Sequence, residues 1–144
     1  MNIVFSNYGK YKDYIDEQVE KYNRDHSDYY GNYKDLTYDD FGFFLIDEDD
    51  CIFGGVVGRI MLNWAQVDII WVDEKMRNQG NASLLLSRAE NYAKEKNCTG
   101  MKVETFDLTA KEFYEYMGFK VAGSIDDLPP GHKLYILAKY LKDE

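Results

Sequence analysis

The sequence predicts an α/β fold, a mixed β-sheet with helices packed on it, from three observations. Hydrophobic residues make up 45% of the 144 positions, enough for the core of one compact domain. Apolar side chains recur at strand spacing in some segments and at helix spacing in others. Residues 67–106 have the pattern strand, helix, strand, and two strands joined by a crossover helix run parallel. We therefore expect a single domain over residues 1–144, in the order β-α-β-β-β-α-β-α-β-β with one central parallel strand pair.

The first half of the chain is predicted to form one helix and four strands. A short strand is expected at residues 2–5, and aromatic and aliphatic side chains at helical spacing predict a helix over roughly residues 10–25. The stretch 67–72 is apolar apart from Asp68, which is typical of a strand buried on both faces. The other strands of this half are expected at residues 41–46 and 52–62, joined by an acidic turn.

The second half of the chain is predicted to form two helices and three strands. Thr109 followed by Glu112 has the spacing of a capping box at the start of a helix, and Gly118 suits the end of that helix. The other elements are expected at residues 82–96 (a helix) and at 101–106, 119–122 and 133–140 (strands).

The composition excludes several classes of protein. A formal net charge of −9 argues against nucleic acid as a partner. It is compatible with a cationic partner, and solubility alone is the simpler explanation. No apolar run approaches the roughly 18 residues of a transmembrane helix, and the N-terminus lacks the pattern of a signal peptide. No membrane partner and a cytoplasmic location are therefore expected. Cys51 and Cys98 are far apart and fit neither a zinc site nor a redox pair, so no metal site is expected.

The most informative segment is the turn between the strand at 67–72 and the helix at 82–96. A helix begins with backbone N–H groups that have no partner within the helix and lie at the positive end of its dipole, so it suits a diphosphate. Gly80 lets the backbone approach phosphate oxygens, and Arg77 adds positive charge. Many such turns bind nothing, so these features alone also fit a structural turn.

Residues 77–82, RNQGNA, resemble the acyl-CoA signature R/Q-x-x-G-x-G/A of the GNAT superfamily of N-acyltransferases. The strand end IWVDE at 70–74 is similar to the same family, and so is FYEYMGF at 113–119. Ala110 stands four residues before Tyr114, where the family often has Ala. The predicted order of strands and helices is also the GNAT order, so the resemblance covers essentially the whole chain.

The resemblance implies acetyl-CoA as the acyl-donor substrate. Its diphosphate would bind the turn, and its pantetheine arm would lie between the diverging ends of the strands at 67–72 and 101–106. Asn78 and Asn81 depart from the Gly and the apolar residue common in the family, and Asp107 stands where many members have Asn. The residues expected to bind acetyl-CoA are Ile70, Trp71, Val72, Arg77, Asn78, Gln79, Gly80, Asn81, Ala82, Ser83, Asp107, Ala110 and Tyr114.

The resemblance also implies a mechanism of direct attack on the thioester by an amine. Tyr114 matches the family's residue that protonates the departing thiolate, and core packing is the alternative explanation of its place on an apolar helix face. Asp68 is a candidate base, because burial of a charge is costly without a purpose; it also suits orientation of a cationic substrate or a salt bridge. Glu104 is a rival base, and the lone histidines His26 and His132 are weaker candidates.

The predicted acceptor is a primary amine of a small molecule or peptide, of cationic character, held by aromatic and acidic side chains. A non-catalytic acyl-CoA-binding module on the same fold and an unrelated α/β binding protein remain alternatives. The identity of the acceptor, and a homodimer formed by pairing of strand edges, stay open. The resemblance implies an acceptor pocket formed by the first helix, the loop after it and the late hairpin, which would include Asp28, Tyr29, Tyr30, Tyr33, Tyr38 and the turn Asp126-Asp127.

Overall fold

A computed structural model of the protein describes residues 1–26 and 38–142. The chain divides into two compact units, Met1–Leu36 and Thr37–Glu144. Among the described residues, no helix has the length and apolar character needed to cross a membrane. The acceptor-pocket residues predicted at positions 28, 29, 30 and 33 lie outside the described residues.

The first unit contains helix α1, Lys12–His26, close to the helix predicted there. Ion pairs at i,i+4 spacing, such as Lys12 with Asp16, support its exposed surface. The strand predicted at residues 2–5 is absent, so that prediction is wrong. Within the described parts of the chain this segment has no strand partner, and a lone strand has no ladder hydrogen bonds to keep it extended.

The second unit is a six-stranded mixed sheet with two α-helices. Along the chain its elements are β1 (Asp39–Ile46), β2 (Ile52–Met61), β3 (Trp64–Val72), α2 (Asn81–Glu95), β4 (Gly100–Thr105), α3 (Leu108–Tyr116), β5 (Lys120–Asp126) and β6 (Lys133–Tyr140). Across the sheet the strand order is β1-β2-β3-β4-β6-β5. Only β3 and β4 run parallel among the paired strands of the described residues. The predicted mixed sheet with one central parallel pair is confirmed.

Helix α2 packs on one face of the sheet through side chains that recur at helical spacing. Leu85, Leu86, Ala89 and Ala93 are buried, and they share one core with strand residues such as Met101. Full burial of a leucine side chain contributes roughly 1.5–3 kcal/mol. This packing holds the first turn of α2 beside the end of β3.

Strands β3 and β4 separate beyond Val67. Their parallel pairing runs from Trp64 opposite Gly100 to Val67 opposite Val103 and then stops. The β2–β3 register shifts at the same point, which makes Asp68 the extra residue of a β-bulge. Beyond the bulge, β3 follows β2 while β4 follows β6, so an opening forms between the two parallel strands.

The expectation that residues 67–72 are buried on both faces is wrong. Ile69 and Trp71 are 63% and 47% exposed. Helix α2 covers one face of β3, and side chains that point away from that face keep contact with solvent. A run of apolar residues does not distinguish this arrangement from a fully buried strand.

Helix α3 begins with a different cap from the one predicted. The Asp107 carboxylate accepts hydrogen bonds from the backbone N–H groups of Thr109 at 2.7 Å and Ala110 at 3.3 Å. Because Asp107 already satisfies these donors, the capping box predicted at Thr109 and Glu112 is wrong. The helix ends before Gly118, whose φ of +96° suits the predicted glycine stop.

Candidate functional site

A cavity of about 330 Å³ opens where the end of β3, the start of α2 and the start of α3 meet. It lies at the opening between β3 and β4. Seven of the residues predicted to bind acetyl-CoA line it, together with Thr109 and Phe113. These seven are Ile70, Trp71, Val72, Arg77, Ala82, Asp107 and Ala110.

Two helix N-termini flank this cavity, and only one is open to an anion. Asp107 occupies the first N–H groups of α3 with its own carboxylate. The cap of α2 is Gly80, which has no side chain and adopts φ +78°. The first N–H groups of α2 therefore remain available to an external acceptor, at the positive end of a 15-residue helix. A phosphate group fits the α2 terminus, and a neutral group fits the space beside Asp107.

The turn before α2 is held by hydrogen bonds from side chains to backbone carbonyls. The Arg77 Nε donates to the Val72 carbonyl at 2.9 Å, and the Asn81 Nδ2 donates to the Met76 carbonyl at 2.7 Å. Asn78 has a φ of +59°. Asn adopts this left-handed region more readily than most residues, which explains why it can replace a glycine here.

The open edge of β3 gives the site a second recognition element. Over residues 69–72, β3 pairs with β2 on one side and has no strand partner on the other side within the region the structure describes, where the Val72 carbonyl accepts the Arg77 hydrogen bond. Unpaired backbone N–H and C=O groups bind an extended chain that carries amides. An amide-containing arm therefore fits beside this edge.

Tyr114 lies behind the cavity on α3. It is 4% exposed, and its ring packs against Phe113 and Phe119 at centroid distances of 5.4 and 5.6 Å. It does not line the cavity itself, but Ala110, one turn earlier on the same helix face, does. Burial raises the pKa of the Tyr114 hydroxyl to about 12. In residues 1–26 and 38–142 that hydroxyl has no hydrogen-bond partner, so it stays protonated and free to donate.

Two carboxylates mark the point where β3 and β4 separate. The parallel pairing of β3 with β4 ends at Val67 opposite Val103. Asp68 directly follows Val67, and Glu104 directly follows Val103. Asp68 is not buried: its side chain is 33% exposed, 3.6 Å from the Arg59 guanidinium. It also accepts a hydrogen bond of 3.0 Å from the side-chain amide of Gln66. The premise of a buried charge is therefore wrong, and neither candidate base lines the cavity, although each directly follows the last residue of the β3–β4 pairing.

A second cavity of about 470 Å³ lies on the other side of the segment that joins β4 to α3. Phe106 and Leu108 line this second cavity, whereas Asp107 and Thr109 line the first. Residues 106–109 therefore form a wall whose side chains alternate between the two. The second cavity is also lined by the predicted carboxylates Asp126 and Asp127, and by His132, Lys133 and Tyr135.

Five residues that line the second cavity were not predicted as site residues: Phe106, Leu108, Gly131, Lys133 and Tyr135. Phe106 and Leu108 look like ordinary apolar residues at the end of a strand and the start of a helix. Tyr135 lies in a strand, where the Lys111 ammonium packs over its ring at 5.2 Å. The alternation at 106–109 is the one sequence signal that could have identified the wall. Tyr38, predicted for the acceptor pocket, is exposed and does not line this cavity.

Comparison with known proteins agrees with this geometry. The pattern of the Acetyltransferase (GNAT) family matches residues 9–119. The chain belongs to this family. Membership confirms the predicted enzyme class, an acetyltransferase, and acetyl-CoA as the acyl donor that the family uses.

Individual GNAT relatives differ in how much of the chain they match. The blasticidin-S acetyltransferase of Streptomyces morookaense is 44% identical over 89 residues, which cover 61% of this chain and 65% of that protein, less than two thirds of its length. An acetyltransferase of Agrobacterium fabrum is 32% identical over 141 residues, 96% of this chain and 98% of that protein. The crystal structure of an acetyltransferase from Bacillus cereus superposes with a TM-score of 0.84 at 30% identity, covering 97% and 98% of the two chains.

Proposed function

We propose that this GNAT protein transfers the acetyl group of acetyl-CoA to a primary amine of a small cationic molecule or peptide, by direct attack on the thioester. The proposal depends on the N-terminus of α2, which has no side-chain cap and lies at the opening between β3 and β4. That arrangement offers an anion site and an open strand edge around one cavity of about 330 Å³. A diphosphate with an amide-containing arm has the matching chemistry.

The donor site uses two kinds of recognition. Backbone N–H groups of the turn and the first turn of α2, with the Arg77 guanidinium, bind the diphosphate. The free edge of β3 near Ile70 and Val72 binds the amides of the pantetheine arm. A backbone N–H of the same edge faces the oxyanion that forms as the thioester is attacked, and such donors commonly contribute about 3–4 kcal/mol.

The reaction also needs two kinds of proton transfer, one that removes a proton from the acceptor amine and one that delivers a proton to the departing thiolate. Asp68, or Glu104 beside it, accepts the proton of the ammonium form of the acceptor, directly or through water, which leaves the amine able to attack. Attack forms the C–N bond, the thioester C–S bond breaks, and the Tyr114 hydroxyl protonates the thiolate. The second proton that the nitrogen loses passes through water to the tyrosinate and restores Tyr114. In water a thiol has a pKa of about 8.5, below that of this tyrosine. Burial raises the pKa of a thiol as well, so the difference between the pKa values of the thiol and of Tyr114 becomes smaller in the site.

The acceptor is proposed to enter from the second cavity. Asp126 and Asp127 place negative charge at its rim, and Phe106 and Tyr135 add aromatic surface, a combination that suits a cation. Lys133 lies 3.2 Å from the Asp126 carboxylate, so Asp127 carries more of the unneutralised charge. The name of the blasticidin-S acetyltransferase agrees with a small-molecule acceptor.

Thermal unfolding with acetyl-CoA, free CoA and NAD tests the donor site. At about 100 times its dissociation constant, a ligand of the folded state adds ~2.7 kcal/mol, which raises the Tm of a domain of this size by several degrees. We expect the shift with acetyl-CoA and CoA and none with NAD, because NAD lacks the pantetheine arm. Absence of a shift with either CoA species would contradict the proposed function.

A panel of amines with detection of thiol release then tests the acceptor. We expect turnover with cationic primary amines and weaker turnover with neutral ones. Binding of acetyl-CoA without transfer to any amine would favour a non-catalytic acyl-CoA-binding module instead.

A further inference from the structure

The turn before α2 is closed by a hydrogen bond from the side chain of the first helical residue. Asn81 is the first residue of α2. Its amide nitrogen points back along the chain and donates to the Met76 carbonyl at 2.7 Å. The N-cap position before it is Gly80, which has no side chain to accept from the helix N–H groups, so these groups are left without a side-chain cap.

The Asn81 hydrogen bond closes a loop around the two residues with positive φ. Asn78 and Gly80, at φ +59° and +78°, both lie between Met76 and Asn81. Glycine reaches the left-handed region without strain, whereas a residue with a side chain, such as Asn78, costs energy there and persists when its surroundings fix it. Because the Asn81 bond joins the two ends of this loop, it restricts the conformations through which the backbone N–H groups could turn away from the cavity.

A second hydrogen bond closes the segment before this loop, and the two closed segments overlap at residues 76 and 77. The Arg77 Nε bond to the Val72 carbonyl spans residues 72–77, and the Asn81 bond spans residues 76–81. Together they cover the chain from the last residue of β3 to the first residue of α2. Arg77 lines the cavity, whereas Asn81 does not. Both side chains hold the backbone of the turn, but only Arg77 also brings its charge to the cavity.

We propose that Asn81 is a positioning residue, which preorganises the turn for the diphosphate of acetyl-CoA without contacting the diphosphate through its own side chain. This inference rests on acetyl-CoA as the ligand of the proposed function. Preorganisation lowers the ordering cost of binding, so its loss weakens binding only for ligands that use the turn. S-acetyl-pantetheine, which has the thioester and the amides but no phosphate, does not use the turn.

Isothermal titration calorimetry with CoA and S-acetyl-pantetheine tests this inference in Asn81→Ala. We expect the Kd for CoA to rise by about fivefold to tenfold, as for loss of one hydrogen bond, and the Kd for S-acetyl-pantetheine to stay unchanged. Asn81→Gln keeps the amide donor and should recover most of the affinity for CoA. A merely structural role would weaken both ligands in parallel or neither.

Asn91→Ala is the matched control. Asn91 lies on the exposed face of the same helix, and within the described chain its side chain makes no hydrogen bond. This variant should bind both ligands like the wild type. If Asn81→Ala does not fold, Asn81→Ser replaces it, because the serine side chain is too short to reach the Met76 carbonyl.

The outcomes separate this inference from the proposed function. If the wild type binds no CoA, the proposed function fails. If the wild type binds CoA and Asn81→Ala binds it equally well, the function stands and the positioning role is overturned. Equal weakening of both ligands in Asn81→Ala also overturns it.

Discussion

Tyr114 combines deep burial with a hydroxyl that no described residue engages. A buried tyrosine usually has a hydrogen-bond partner. The ring is held by Phe113 and Phe119, and the pKa of about 12 keeps the hydroxyl protonated at any physiological pH. These properties suit a group that donates its proton at one moment of the reaction.

Replacement of Tyr114 by phenylalanine separates catalysis from packing. Tyr114→Phe keeps the ring and removes the donor, so we expect kcat to fall by about 100-fold or more, with an unchanged Kd for CoA. The Tm should change little, because no hydrogen bond is lost. Steady-state kinetics with detection of thiol release, together with thermal unfolding, provides the measurement.

Tyr116→Phe serves as the control on the same helix. Its side chain is 84% exposed, so loss of its hydroxyl should leave rate and stability unchanged. Full activity of Tyr114→Phe would assign Tyr114 to core packing, the alternative that the sequence already allowed.

For individual residues, the sequence predicted the position within the fold better than the three-dimensional environment of the side chain. Arg77 and Gly80 were placed correctly in the turn, because chain order alone locates them between a strand and a helix. The environment of Asp68 was not predictable, because a β-bulge depends on the register of two strands. The cap made by Asp107 was missed because Thr109 and Glu112 also have capping spacing, and only three-dimensional geometry decides between them.

At the scale of elements, α2 is the helix whose start is kept open. Gly80 is at φ +78°, and no described atom lies within 4 Å of a Cβ built on it. An alanine there meets no clash, yet it strains the backbone and adds a methyl group to the turn that forms the anion site. Stability and binding should therefore both respond to this one change.

Gly80→Ala is expected to lower the free energy of unfolding by roughly 1 kcal/mol and to weaken CoA binding. Gly131→Ala is a matched comparison, since Gly131 has a φ of +84° and equally open space. It should show the same loss of stability with unchanged affinity for CoA. Denaturant unfolding and calorimetry on both variants provide the test, and a Gly80→Ala protein with wild-type affinity would contradict the anion site.

Element boundaries followed from the sequence wherever periodicity and a terminator agreed. β6 was predicted at 133–140 and is observed at Lys133–Tyr140. The strand predicted at residues 2–5 failed because strand propensity does not supply a partner strand. β3 begins three residues earlier than predicted, because Trp64 extends the parallel pairing with Gly100, a contact between residues distant in sequence.

At the scale of the whole molecule, buried or bonded tyrosines link stability to alkaline pH. Burial raises the pKa of Tyr114 from 10.0 to about 12, and a hydrogen bond donated to Asp39 raises that of Tyr92, which joins α2 to β1, to about 12. A raised folded-state pKa contributes stability that is present below the unfolded pKa and is lost as pH rises through the folded pKa. The folded state should therefore lose stability between pH 10 and 12.

Denaturant unfolding between about pH 9 and pH 12 measures this loss. The Tyr114 shift corresponds to about 2–3 kcal/mol. Tyr114→Phe should lose correspondingly less stability over the range than the wild type, while the exposed Tyr116→Phe should follow the wild type. Parallel curves for all three proteins would show that Tyr114 titrates normally in the folded state.

The overall architecture was predictable because it depends on the order of strands and helices along the chain more than on the contacts of individual side chains. A strand-helix-strand pattern dictates a parallel pair, and a family signature in the connecting turn narrows the possibilities to one fold. The two cavities were not predictable in the same way. Their separation arises from the side chains of residues 106–109, whose positions depend on how the segment between β4 and α3 packs in three dimensions.

The wall at residues 106–109 has a consequence for how relatives of this protein can diverge. Even-numbered positions such as Leu108 face the proposed acceptor side, and odd-numbered positions such as Thr109 face the donor side. A substitution at one position therefore reshapes one compartment and leaves the chemistry of the other in place. Acceptor specificity can therefore change through substitutions in this short segment while acetyl-CoA binding is kept. Whether a substituted position is even-numbered or odd-numbered indicates which of the two specificities a natural variant alters.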